Sequence, residues 1–153
     1  MQNFTIRPAT VKDIPLLIAA RKQQLIDEGI APTVDIDVAC ADFFERKLDD
    51  STLYELLAFD GDTLVATAAV CFYDFPPTYT NATGRVAYMT NMYTAPAYRG
   101  QGLASRLLEQ LERESCRRGV HVIRLRASIH GRPVYAKCGY TAEGNWMLKK
   151  ISS

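Results

Sequence analysis

The sequence is poor in the residues from which metal sites and disulfide frameworks are built. Its two histidines, His121 and His130, show no metal-ligand spacing, and its four cysteines, Cys40, Cys71, Cys116 and Cys138, include no CxxC pair. That pattern argues against a bound metal and against a stapled secreted module, and the thiols are expected to be buried and inert. Long apolar runs are missing too. The longest near-apolar stretch, LVATAAVCFY at 64–73, is too short to cross a bilayer, and no basic-then-apolar leader opens the chain. A cytoplasmic location without membrane contact is the default expectation, which leaves the sequons at Asn3 and Asn81 without meaning. No linker, repeat or low-complexity segment interrupts the 153 residues, so residues 1–153 read as one domain large enough for its own core.

Acid is absent from a further stretch: no Asp or Glu lies between Glu114 and Glu143. The formal net charge of +1 hides this asymmetry. Residues 1–83 hold six basic and thirteen acidic side chains, whereas residues 84–153 hold twelve basic and four acidic ones. Such a chain can attract an anion to one part and a cation to another. Nucleic acid is not the expected anion, because Arg124 and Arg126 alternate on a strand instead of clustering with exposed aromatics.

Hydrophobic periodicity orders the elements. NFTIRPA reads as a short strand. Thr10 or Asp13 caps a helix carrying Ile14, Leu17, Ile18 and Leu25, with Pro15 in its first turn. A second helix begins near Asp35 or Asp37 and carries Phe43, Phe44 and Leu48. LYELLAFD and TLVATAAVCFYDF flank an Asp-Gly turn as a hairpin. RVAYMTNMYTAP is a strand stopped by Pro96. A helix over 102–118 buries Leu103, Leu107, Leu108 and Leu111 and ends on two arginines and Gly119. HVIRLRAS is a strand, GRPVYAKCG a short helix, and YTAEGNWMLKKI a terminal hairpin turning at Gly144-Asn145. This order predicts an α/β (α+β) mixed sheet with helices on both faces.

The segment YRGQGLAS at 98–105 joins the strand ending at Pro96 to the 102–118 helix. A helix N-terminus presents unpaired N–H groups and about half a positive charge. Ordinary surface helices place Asp or Glu there, but the first acid of this one is Glu109, and Arg99 and Arg106 flank the glycines. The site is open to an external anion. A Walker loop fails for want of a lysine after the glycines. A Rossmann fingerprint fails because Ser105 stands at its third glycine and no acid follows about 20 residues on.

Arg99-Gly-Gln-Gly102-Leu-Ala104 satisfies the [Q/R]xxGx[G/A] signature throughout, and here the chain resembles the GNAT N-acetyltransferases. TIRPAT, NMYTAP, the loop-helix and GRPVYAKCGY match family segments in the right order over nearly the whole length. The resemblance implies a GNAT fold, with a mostly antiparallel sheet of about seven strands splayed at its centre. It implies acetyl-CoA as co-substrate with no metal, and direct attack on the acetyl group by a primary amine of a small molecule or peptide. It leaves room for a homodimer, and a catalytically idle acyl-CoA-binding module is the alternative.

The resemblance further places Gly100, Gln101, Gly102, Leu103, Ala104 and Ser105 on the pyrophosphate, beside Arg99. It sets the pantetheine arm on the backbone of Met92, Tyr93 and Thr94, and makes Tyr135 the acid that protonates the thiolate. Two positions depart from the family. Ser128 stands where many members have a cofactor-binding Asn, and Asn91 where many have a Glu base. His130 or a water chain is then left as proton acceptor. For the acceptor, the resemblance points to segments 27–37, 75–79 and 145–146, where Asp27, Glu28, Asp35, Asp37, Phe75, Tyr79 and Trp146 suit a cationic, partly apolar amine.

Overall fold

The computed structural model describes residues 2–152. Its sheet has five strands, β1 (Thr5–Pro8), β2 (Leu53–Asp60), β3 (Thr63–Asp74), β4 (Arg85–Thr94) and β5 (Ile123–Leu125), side by side in chain order. The first three junctions are antiparallel, and β4 and β5 are parallel. Four helices complete it: α1 (Ile14–Asp27), α2 (Asp37–Asp49), α3 (Leu103–Arg117) and α4 (Arg132–Lys137). The Asp60-Gly61 hairpin, the proline in the first turn of α1 and the helix before Gly119 stand where the sequence places them.

Helices cover both faces, which is why β3 reads as a continuous apolar run instead of alternating. On one face α1 and α2 close over Leu53, Leu57 and Ala69, joined by Leu17 and Phe44. On the other, α3 and α4 close over Leu56, Ala58, Ala66, Ala68 and Val70. Leu103, Leu107, Leu108 and Leu111 are at most 1% exposed. At about 2 kcal/mol for each buried leucine, they are the main grip of α3 on the sheet.

The far end of α3 is pinned by charge. Gly119 adopts φ +73°, and its N–H and that of Val120 return to the Cys116 and Ser115 carbonyls. Arg118 donates to Glu114 at 2.8 Å and to the Ser51 carbonyl at 2.6 Å, with its guanidinium 4.4 Å from the Phe72 ring centroid. Arg117 and Arg118 together hold the Glu114 carboxyl down at about 2.

Two expectations are corrected. The sheet has five strands, not about seven, because residues 141–152 form no ladder. A lone hairpin gains little unless a third strand receives it, and β5 offers only three residues. That segment instead lies against Arg124, whose Nε meets Glu143 at 3.3 Å and whose guanidinium stacks 5.2 Å from the Trp146 ring centroid. The cysteines are not uniformly buried: Cys116 is exposed on the last turn of α3, and the other three are half-buried. Burial still pushes the Cys71 thiol up to about 11, far from the thiolate form.

Because the folded pKa of Glu114 lies below its ordinary 4.5, its stabilisation is present above that value and lost as pH falls through about 2. Urea midpoints measured from pH 6 to pH 2 should fall more steeply for the wild type than for Glu114→Gln. At pH 6 the variant should be the less stable of the two.

Candidate active site

Strands β4 and β5 pair only through Ala87, Tyr88 and Met89 opposite Ile123, Arg124 and Leu125. Beyond Met89, β4 runs on to Thr94 with β3 on one side and no strand on the other. Met92, Tyr93 and Thr94 all lie on this free edge, which is a template for an extended, amide-bearing ligand.

The free edge leads to the start of α3. Gly100 and Gly102 adopt φ +74° and +77°, a left-handed backbone that favours glycine. A Cβ at either would meet no atom within 4 Å, so open space fronts both. The N-cap is Gly102 itself, without a side chain to cap the helix or an acid in the first turn. Arg106 N–H takes the Gly102 carbonyl at 3.1 Å, which leaves the N–H groups of Leu103, Ala104 and Ser105 without helical partners. Those donors and the helix dipole fit a phosphate group. Arg99 is engaged elsewhere: it donates from Nε to the Thr94 carbonyl at 3.0 Å and from a terminal nitrogen to Asp27 at 2.9 Å. It braces the loop against α1 and the end of β4. The Gln101 amide likewise turns back to the Ala97 carbonyl at 3.3 Å.

At the mouth of the slot, β4 bulges. Thr67 and Ala69 on β3 pair with Tyr93 and Thr90, so Asn91 and Met92 together oppose Ala68, an arrangement that re-aims the backbone. Asn91 takes φ +52°, a conformation asparagine tolerates better than most residues. The Thr67 hydroxyl donates to the Asn91 carbonyl at 2.8 Å. The Asn91 amide nitrogen donates to the Glu55 carboxyl at 3.2 Å, reaching from β4 to β2 across β3. Ala69 on the intervening strand is small and fully buried beneath this contact.

Glu55 is the residue that sequence reasoning missed. It is 1% exposed, and burial lifts its carboxyl to about 8 against the lowering effects of Asn91 and of Arg21. One signal was available: in LYELLAFD it shares strand parity with Leu53 and Leu57, both core residues. An acid on the inward face of a strand needs a reason to be there.

Tyr135 projects from α4 into the α3-side core, 9% exposed, with its ring packed edge-on to Tyr140 and close against Gly131. Burial raises its phenol to about 12, with smaller contributions from Glu28 and Tyr88. Ser128 is half-buried, and its hydroxyl accepts the Gly131 N–H at 3.1 Å, setting the turn that starts α4. His130 is exposed on that turn.

A cleft of about 330 Å³ opens on the opposite face, between α1, α2 and the bulge. Leu25, Ile36, Phe43 and Phe44 wall it, and Arg21, Thr90 and Asn91 are its polar contributors. The acids expected to attract a cation do not line it. Asp27 is bound to Arg99, Asp37 to Lys22 at 2.8 Å, and the Asp35 carboxylate to the Asp37 N–H at 2.8 Å. Phe75, Tyr79 and Trp146 are also absent from its walls, and Tyr79 stands fully exposed on the β3–β4 loop.

An open strand edge leading to an uncapped helix N-terminus, with a bulged strand beside it, is an arrangement that fits a long anionic ligand held extended. Comparison with known proteins sharpens that reading. The model of the acetyltransferase (GNAT) family matches residues 23–140. A predicted acetyltransferase from Clostridium acetobutylicum, solved with acetyl-CoA, is 47% identical over 97% of this chain and 96% of its own, with a TM-score of 0.95. A GCN5-related N-acetyltransferase from Ralstonia eutropha JMP134 shares the fold at 22% identity, covering 97% of this chain and 99% of its own, with a TM-score of 0.86. Glucosamine-6-phosphate N-acetyltransferase from Arabidopsis thaliana shares it at 17% identity, covering 98% and 99%, with a TM-score of 0.73. No curated protein matches the chain. The chain belongs to the acetyltransferase (GNAT) family.

The raised Glu55 carboxyl makes stability depend on pH in the opposite sense to Glu114. Its folded value of about 8 exceeds the ordinary 4.5, so its contribution is intact below pH 4.5 and is lost as pH rises through 8. Glu55→Gln keeps an acceptor for Asn91 but removes the ionisation. Urea midpoints between pH 5 and 9 should decline in the wild type and be flatter in the variant, the gap reaching on the order of 3 kcal/mol near neutrality.

Proposed function

We propose that the chain transfers an acetyl group from acetyl-CoA to a primary amine by direct attack. The observation that supports this most is the continuity of the free β4 edge with the uncapped start of α3. The pantetheine arm fits the backbone of Met92, Tyr93 and Thr94, and the pyrophosphate fits the N–H groups from Gln101 to Ser105. The Clostridium acetobutylicum relative, solved with acetyl-CoA, supports the same donor. Backbone N–H groups at the bulge, around Met92 and Tyr93, are the donors for the developing oxyanion.

Asn91 and Tyr135 divide the remaining work. The Asn91 side-chain nitrogen is committed to Glu55, which leaves the side-chain oxygen Oδ1 to accept a hydrogen bond from the amine in the cleft. Glu55 is thus a positioning residue, acting through Asn91. Burial keeps the Tyr135 phenol protonated throughout the physiological range, and as the thioester opens it donates toward the thiolate that forms beside it. The proton lost by the amine leaves to solvent or to His130, with no carboxylate on β4 to take it. A module that only bound acyl-CoA would have no use for this phenol.

The donor is tested by thermal shift. Acetyl-CoA at 100 times its dissociation constant should add about 2.7 kcal/mol of stability. NAD or ATP at equal concentration should add none, and Gly102→Glu should abolish the acetyl-CoA shift. An absent shift with millimolar acetyl-CoA would overturn the assignment.

The acid is tested by Tyr135→Phe, which preserves packing and removes the hydroxyl. Its kcat should drop roughly 10²-fold or more while acetyl-CoA affinity stays close to wild type. A variant running at full rate would remove Tyr135 from the chemistry.

A further inference from the structure

We propose that the acceptor is an amine of the amino-acid class, bearing both a carboxylate and an apolar side chain, with Arg21 in the cleft between α1, α2 and β4 as the carboxylate's partner. This rests on the transferase reading above and specifies its second substrate.

The first support is charge. Among the residues lining the cleft, Arg21 alone is charged. Its guanidinium donates to a neutral partner, the Gln24 side-chain oxygen, at 3.1 Å. The acids nearby in sequence are engaged with other groups: Asp27 with Arg99, Glu28 with the Gln24 amide at 3.0 Å, and Asp37 with Lys22. Glu55, behind Asn91, is held largely protonated at neutral pH by its burial, so it does not serve as the missing counter-ion. The cleft therefore presents one cation against apolar walls. A guanidinium in such surroundings pairs best with a planar oxyanion, which its fork can take in two parallel hydrogen bonds.

The second support is shape and wall chemistry. Leu25, Ile36, Phe43 and Phe44 offer an apolar surface that suits a hydrocarbon side chain better than a sugar, and a polycationic acceptor would meet Arg21 with like charge. About 330 Å³ lies at the small end of ligand pockets, suited to a molecule of amino-acid size.

The third is the placement of Asn91, which both lines the cleft and stands on the bulge at the mouth of the donor slot. An acceptor whose carboxylate meets Arg21 and whose amine meets the Asn91 side-chain oxygen Oδ1 has its nucleophile on the β4 side. There the slot delivers the thioester. The nitrogen attacks the thioester carbon and loses its proton to solvent, and the C–S bond breaks. Tyr135 protonates the departing thiolate so that coenzyme A leaves as the thiol, and the Tyr135 phenolate regains a proton from solvent.

The test compares L-phenylalanine and L-leucine with phenethylamine and isoamylamine, which lack only the carboxylate, and with spermidine, by thiol release from acetyl-CoA. The carboxylated acceptors should exceed their decarboxylated partners at least tenfold in kcat/KM, and spermidine should be the poorest. In Arg21→Gln the phenylalanine-to-phenethylamine ratio should collapse to within about threefold, chiefly through KM, while the acetyl-CoA thermal shift persists as proof of folding. Equal or better turnover of the decarboxylated amines or spermidine overturns the proposal, as does a ratio unchanged in Arg21→Gln. Calorimetry on the coenzyme A-saturated protein gives a second reading: N-acetyl-L-phenylalanine should bind, and failure to bind overturns the proposal even where acetyl-CoA binds normally. Loss of acetyl-CoA binding itself would instead bring down the transferase reading, and this one with it.

Discussion

The hydrogen bond from Asn91 to Glu55 is the contact on which the working end of this molecule depends. It spans three strands, passes over a buried alanine, and fixes a left-handed residue at the place where β4 must stop behaving as a regular strand. Without the bulge, β4 would present an ordinary edge, and the proposed donor slot and acceptor cleft would not meet. A carboxyl on this inward strand face is costly unless it stays neutral or is well bonded. Its raised pKa and its asparagine partner meet both conditions.

The two halves of the site are made from different materials. On the α3 side, recognition in the proposed site is carried by backbone: glycines at positive φ, orphan helix N–H groups and a free strand edge. Such groups recognise shape and charge rather than a particular side chain. On the α1–α2 side it is carried by side chains, with one cation, two phenylalanines and an amide in view of each other. A shared donor coupled to variable acceptors is what this division permits, since the second half can change without disturbing the first.

The backbone half was the legible one. Glycines at fixed offsets, a missing capping acid and a four-leucine stripe are local signals, each decided within a few residues of chain, and 98–118 declares all of them. The hairpin at Asp60-Gly61 is local in the same way. The side-chain half was not legible, because it brings together residues far apart in sequence: Glu55 is bonded to Asn91, and Arg21 lines the same cleft as Asn91. The acids at 27–37 show the same limit. Read alone they suggest a site for a cation, whereas in the fold none of them lines the cleft and they are engaged by Arg99, Lys22, the Gln24 amide and the Asp37 N–H. The terminal segment failed for another reason. Gly144-Asn145 is a sound turn signal, but a hairpin needs a receiving edge, and a three-residue β5 does not supply one.

Arg99 connects these halves. It rises from the glycine loop, takes the carbonyl at the end of β4, and grips Asp27 at the last turn of α1, the helix that carries Arg21. On the proposed reading, a movement of the loop on meeting a donor would reach the wall of the acceptor cleft through this bridge, and the reverse would hold with equal magnitude, since linkage is reciprocal. The pair is partly exposed, with side chains 53% and 27% accessible, and such bridges are worth at most about 1 kcal/mol. Through this contact, one substrate can therefore change the affinity for the other by no more than about fivefold. The two binding steps are conversant but nearly independent, so neither order of arrival is enforced by Arg99.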